Sequence, residues 1–516
     1  MKKNYIILLL IICTIEVSLG VLFGMEKVNL HVDEIYSFGL SNNTTGTMMS
    51  IPEGELIDRS VFDQYVTVDL AHRYDFTNVW ANQKADVHPP FYYLLIHTIC
   101  SFFPGKFLMM GGIGLNILFS VIITLLIYFT VKELSQNEML SLLISAVWSV
   151  SLGNMTFIVF IRMYMMLTAF MLAITLLHIK YVSKKLTLKF YLGVVLLAIS
   201  GTLTQYYFLI YLFFLCFLFV LHLLLNKDIK SALLYLLSLS CAGIGAVFIF
   251  PGMLYHIFKG YRGKESFQNI ENFSNLSERF ISYYNILNKE LFNQVLTFLI
   301  LIILLLLIVS IRKRTSKINW RAVVFSGYNL LLFPSLLYFI IVSKIAIYVT
   351  DRYIMPIFPM LLIAVILGVT YLSFQVVGKR YLILFEACCF IILSAIGLIQ
   401  NKNIDNLHKE SEPAIQFAED NKEADVLVVY TGAWRLNSVY VELTQYNQVR
   451  VITKKNLANF IDTIDNYNDA IVYIIGNDYE DTLVTLMSMN PSWTSYTSVN
   501  STQYSHVYQL RSSYEN

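Results

Sequence analysis

Residues 207–225 read YFLIYLFFLCFLFVLHLLL, nineteen positions without a formally charged side chain. About 20 such residues cross the hydrocarbon core of a bilayer as a helix, and there a lipid-exposed backbone must satisfy its own polar groups. The same kind of run recurs at 108–131 and 354–376. Eleven spans can be read in all, at about 5–24, 108–131, 139–157, 162–182, 189–204, 207–225, 231–256, 291–311, 322–343, 354–376 and 381–400. Segment 91–104 is apolar but short and ends at Pro104-Gly105, so it reads as a helix lying at the interface. Composition agrees: 14% of the 516 residues are charged, against about 25% in a soluble domain. The fold class is therefore an α-helical polytopic membrane protein.

Charge placement orients it. The start MKKNYIILLLIICTIEVSLG has a basic flank and a long apolar stretch without a small-x-small cleavage site, which reads as an uncleaved signal anchor. With Lys2 and Lys3 inside, the connections VKELSQNE, YVSKKLTLK, LNKDIK, IRKRTSKINWR and VGKR fall on the same side, and all carry Lys or Arg. Counting 91–104 as a crossing would reverse all five. The N-terminus is thus expected in the cytoplasm of a cell-membrane protein. Segments 25–90, 257–290 and the tail from about 401 are expected outside. Residues 25–88 hold ten Asp and Glu against four Lys and Arg, as an outer segment should. KGYRGKES in the 257–290 loop runs against the bias, and long loops obey the rule poorly.

The tail is a different kind of sequence. EADVLVVYTG, QVRVIT and DAIVYIIGND read as buried strands, and WRLNSVYVELTQ, NLANFIDTIDN and YEDTLVTLMS between them as amphipathic helices. The alternation predicts a small extracytoplasmic α/β domain over 401–516 with a mainly parallel sheet, following a transmembrane domain over 1–400. It has no Gly-rich phosphate loop and is expected to be a cap or docking surface. The six cysteines lie in or beside apolar runs, so no disulfide framework or zinc site is implied. Glu16, inside the first span, is expected to face other helices. Nothing indicates a nucleic-acid partner.

Five polar signals fall on the outer side: HVDE (31–34), ADVHPPFYY (85–93), IRMY (161–164), TQYY (204–207) and TDRYIMPIFP (350–359). Each has an ordinary structural reading. Asp-Glu after a span is often a solvated loop, and His-Pro-Pro suits a helix start. Arg162 and Arg352 can snorkel to headgroups, and tyrosine pairs fit the aromatic belt. Their shared side is what points to a site.

In motif order and spacing the chain resembles the GT-C class of polyprenol-dependent glycosyltransferases. A DE just past the first span and DVHPPFYY closing the first outer loop are similar to the protein O-mannosyltransferases, of glycosyltransferase family 39. RMY, TQYY and RYIMPIFP resemble the bacterial aminoarabinose transferases. The resemblance covers roughly 1–400. At position 88 this chain has His where the aminoarabinose enzymes carry Lys.

The resemblance implies transfer of a sugar from a polyprenyl-phosphate donor, with inversion, to an outer acceptor: a glycopolymer, a lipid or a protein. Asp33 matches the family's catalytic Asp and would act as general base, with Glu34 orienting it or the acceptor. The leaving phosphate calls for cations. Arg352 is the first candidate and His88 the second, followed by Arg162 and Lys84. Asp86 would hold His88 or a sugar hydroxyl, and Tyr92, Tyr93, Tyr206 and Tyr353 would contact the sugar or the first isoprene units. His31 is unplaced: a donor contact, a metal ligand, or merely the residue that leads the chain off the membrane. A divalent cofactor held by His31, Asp33, Glu34, Asp86 and His88 is a further option without a compact signature.

Two other classes compete. A transporter or flippase for lipid-linked saccharides would concentrate ionisable groups near mid-membrane, where the sequence offers Glu16, His178, His222 and Glu386. A non-catalytic envelope-assembly protein would use the tail as its interaction module.

Overall fold

The computed structural model describes residues 3–271, 275–313, 323–502 and 504–512. Most of the basic connection at 311–321 lies outside the described residues. The chain forms two compact units. One comprises residues 1–24, 87–92 and 113–402, the other 25–86, 93–112 and 403–516.

The first unit is helical. Among the described residues nine helices are long and apolar enough to cross a membrane, from Lys3–Met25 to Tyr381–Gln400. The segment expected to span at 139–157 is instead a pair, Glu138–Ser149 and Leu152–Ile158, bent by 56°. Ser151 makes the break: its Oγ accepts from the Asn154 amide at 3.3 Å and restarts the helix. The segment at 189–204 is a helix of 15 residues, Leu188–Thr202, short for a crossing. That at 231–256 ends at Ile249, ahead of Pro251. Glu16 is fully buried between helices, as expected, and accepts from Ser120, Thr124 and Asn154. The loop 257–290 contains helices Tyr261–Glu271 and Leu276–Phe292. Its basic residues are used in folding: Arg262 pairs with Glu265 at 3.0 Å, and Arg279 donates to the Ser343 and Ala346 carbonyls.

The second unit is built on a six-stranded sheet in the order β1-β3-β2-β4-β6-β5. The strands are β1 (Leu56–Ile57), β2 (Val426–Tyr430), β3 (Val449–Thr453), β4 (Ala470–Ile475), β5 (Trp493–Ser501) and β6 (Ser505–Ser512). Only β3-β2-β4 is parallel, and the other three pairings are antiparallel. The sheet is mixed rather than mainly parallel, because the tail ends in a hairpin. The tail also takes its edge strand from the first polar segment. Leu56 and Ile57 pair with Arg450 and Val449, and Glu53 accepts from the Thr453 amide and hydroxyl and from Asn456. Gly54 makes that approach possible: its φ is +80°, and a Cβ there would meet Phe460 at 2.0 Å. Helix Val32–Asn42 lies in the same unit. Its Gly39 meets Tyr65 of helix Arg59–Val66 so closely that a Cβ would fall 2.0 Å from Cζ.

Candidate active site

HVDE is the start of a helix, not a solvated loop. His31 is the N-cap of helix Val32–Asn42, with extended backbone, and its Nδ1 accepts from the Asp33 amide at 3.1 Å. Glu34 closes the box by accepting from the His31 amide at 2.7 Å. In a neutral imidazole the accepting nitrogen carries no proton, so this contact places the His31 ring proton on Nε2.

The two acids then differ completely. Glu34 is fully buried and paired with Lys27 at 3.0 Å, both side chains without exposed surface. The same carboxylate oxygen, Oε2, takes both the Lys27 ammonium and the His31 amide. Lys27 also donates to the Asn406 carbonyl. Burial pushes the Lys27 amine below its ordinary range, and the Glu34 charge opposes that. The chain beyond the last span completes the arrangement. The Val28 amide bonds the Leu407 carbonyl at 2.8 Å, and His408 stacks on His31 with centroids 6.3 Å apart. His408 Nε2 lies 4.0 Å from Glu34 Oε2. Asp33 keeps 30% of its side chain exposed, its Oδ2 3.8 Å from His31 Nδ1. Of the two, only Asp33 has a carboxylate surface to offer a ligand.

In the same unit Lys84 is exposed in the last turn of helix Phe76–Ala85, where a cation suits the helix dipole. Asp86 caps that helix and is half-buried. Its charge, secondary to burial, helps push the Tyr65 phenol above its ordinary range. Tyr93 is fully buried.

The helical unit collects the remaining candidates. His88 Nε2 and Arg162 Nη2 are 3.3 Å apart, with Arg162 almost entirely buried. Arginine only donates, so His88 Nε2 is the acceptor. Arg352 is half-buried in the turn Asp351–Tyr353, its guanidinium 5.5 Å from the Tyr353 ring centroid. Tyr353 lies 5.4 Å from the Tyr207 ring and its carbonyl accepts from Tyr338. Tyr206 bonds His256 at 2.9 Å. Tyr92 is fully buried, donating to Asn116 at 3.2 Å, and has no surface for a ligand in this conformation. Among the described residues, no group of three or more His, Cys, Asp or Glu is placed to hold a metal ion.

Sequence reading missed Lys27, Asn406, His408, Tyr207 and His256. The capping box was there to be found, since HVDE places Glu three residues after a possible cap. Lys27 and the 406–408 segment carry no local signal.

No protein-family model matches the sequence, and no curated protein matches it. Solved structures do. ArnT from Cupriavidus metallidurans bound to undecaprenyl phosphate matches with a TM-score of 0.52 at 11% identity, over 99% of this chain and 98% of its own. The Archaeoglobus fulgidus oligosaccharyltransferase, in complex with zinc and sulfate, matches with a TM-score of 0.49 at 12% identity, over 97% of this chain and 72% of its own. The ArnT match spans both units and fixes the architecture: the chain has the GT-C fold, a multi-pass helical membrane body with a small C-terminal sheet domain.

Proposed function

We propose that the protein is an integral membrane glycosyltransferase that moves a sugar from a polyprenyl-phosphate carrier to an acceptor on the extracytoplasmic face. The observation that carries the reading is the division of labour at HVDE, in a chain with this fold. One carboxylate is consumed by the scaffold and its neighbour is presented at the first turn of a fixed helix. ArnT bound to undecaprenyl phosphate supports a lipid-phosphate donor for a chain of the same architecture.

In this reading an acceptor hydroxyl attacks the anomeric carbon and Asp33 takes its proton. The bond from that carbon to the phosphate oxygen breaks, and its electron pair leaves with the lipid phosphate. A single displacement inverts the anomeric centre. Charge grows on the phosphate as the bond breaks, so fixed cations there stabilise the transition state more than the bound donor. Arg352 and the His88–Arg162 pair take that role, and Tyr206 and Tyr353 contact the carrier or sugar. Glu34 positions rather than reacts. The same reading puts the N-terminus in the cytoplasm and the sheet domain outside.

The test uses purified protein, a panel of undecaprenyl-phosphate sugars and cell-envelope acceptor fractions. Undecaprenyl phosphate should be released in step with sugar gained by one acceptor, with inverted linkage by NMR. Retained configuration would rule out the single displacement, and release without any acceptor gaining sugar would rule out transfer.

A further inference from the structure

We infer that Lys27, together with the chain segment Asn406–His408, is the positioning element of the transfer centre, and that the C-terminal segment is an obligate part of that centre. The inference rests on the reading of Asp33 as base.

The geometry leads there in three steps. Asp33 is placed by a helix start whose cap is a histidine rather than the usual Ser, Thr, Asp or Asn. The His31 side chain satisfies one amide, at 3.1 Å, and the other half of the box depends on Glu34 Oε2. That oxygen sits in a site with no solvent exposure, with the Lys27 ammonium 3.0 Å away. Lys27 is in turn held from far along the sequence, by the Asn406 carbonyl, and its segment by the Val28–Leu407 bond. His408, which has a left-handed backbone (φ +53°), lays its ring along His31. Each contact acts on Asp33 only through the helix start. Lys27 is therefore a positioning residue, and none of its partners needs to touch a substrate.

The test compares Lys27→Met, Glu34→Gln, Lys27→Met/Glu34→Gln and Asp33→Asn in the full-length protein. Lys27→Met takes the ammonium away from the buried Glu34 carboxyl, leaving its desolvation uncompensated by a cation, and the box loosens. The double variant removes both charges and keeps a side-chain acceptor for the His31 amide, because Gln serves in a capping box as Glu does. Lys27→Met should lower kcat at least about tenfold, with KM for the undecaprenyl-phosphate sugar within about twofold. The double variant should recover most of that rate. Hydrogen exchange by mass spectrometry reads the same device without turnover. Amides over residues 31–35 should exchange at least about tenfold faster in Lys27→Met and return towards wild type in the double variant. Peptides covering 426–430 should stay protected in all four.

A Gly-Gly insertion after Asn403 should copy the Lys27→Met exchange pattern, since it slackens the 406–408 segment without changing a side chain. A changed KM with kcat intact would make Lys27 a ligand contact. A double variant no better than Lys27→Met, in rate or exchange, overturns the positioning role. If Asp33→Asn transfers as fast as wild type, the base assignment fails instead, and the exchange result still decides the clamp.

Discussion

Asp33 and Glu34 are adjacent acids of the same charge, and removing either charge should have opposite consequences. Glu34→Gln strips the partner from a buried ammonium. Breaking one side of a fully buried pair costs about 3–5 kcal/mol, because the remaining charge keeps its desolvation penalty. Here Lys27 would fall back on the Asn406 carbonyl as acceptor of its ammonium. Asp33→Asn touches a side chain with 30% exposure and removes a favourable charge from a helix N-terminus, worth about 0.3–1 kcal/mol. For rate the order reverses. Removing a general base costs about 10²–10⁴-fold, or roughly 3–5 kcal/mol of barrier. The thermal melt of the purified protein should therefore drop clearly for Glu34→Gln and hardly for Asp33→Asn, while transfer collapses for Asp33→Asn. The Glu34→Gln defect also has a pH signature. Burial holds Lys27 below the 10.5 of an unfolded lysine, and loss of Glu34 lowers it further. Between the lowered value and 10.5 the unfolded chain binds more protons than the folded one, so the variant's stability rises with pH across that window. Equal melts for the two variants, or an Asp33→Asn protein that turns over normally, would refute this division.

Other outcomes follow from single contacts. Glu442 is buried in the sheet domain beside the Tyr446–Tyr473 pair, and burial pushes it from 4.5 up to about 7. The folded state holds the extra proton between those values. Stability should fall as pH rises through that window, by at most about 3 kcal/mol, and Glu442→Gln should flatten the slope in pH-scanned melts. Gly39→Ala drives a methyl into the fully packed Tyr65 ring and should cost about 1–3 kcal/mol, seen as a lower melting temperature. Arg352→Ala should lower kcat about 10²-fold or more, as loss of a donor to a developing oxyanion does. Glu16→Gln keeps an acceptor for Ser120 and Asn154 and reverses the Thr124 contact, the new amide donating to its hydroxyl, and should leave transfer intact. A transporter that cycles a proton through this span would lose activity instead.

How far the fold could be read follows from how its forces are written in sequence. The spans were legible because crossing a bilayer demands length and apolarity together, and both are local. The bend near Ser151 was not, since two small hydroxyl residues in an apolar run change neither property. β2, β3 and β4 announced themselves as Val- and Ile-rich runs buried on both faces. β5 and β6 did not, because WTSYTSVNS is mostly Ser and Thr, SHVYQLRS intersperses Val, Tyr and Leu with polar residues, and β5 is an edge strand exposed over its middle. β1 is two residues after a Gly turn and exists only because β3 is there to receive it. The candidate site divides in the same way: its motifs were visible, whereas the Lys27–Glu34 pair and the 406–408 segment are set by tertiary closure.

That closure also explains why an Asp-Glu pair on a helix cannot supply two equivalent acids. Successive residues of an α-helix point about 100° apart. When a helix start lies against a core, one of two neighbours faces inward and the other is turned away. In Val32–Asn42 the inward position is Glu34, at 0% exposure, and a buried carboxylate there survives only with a cation and an amide in reach. Both are present, and both are used up in holding it. The outward position is Asp33, which keeps 30% of its side chain exposed. Exchanging the two residues, Asp33→Glu with Glu34→Asp, keeps every charge but shortens the inward side chain by one methylene. The shorter inward carboxylate would then have to choose between the Lys27 ammonium and the His31 amide. The swapped protein should lose both stability and rate, whereas a mechanism indifferent to which acid faces inward would leave it active.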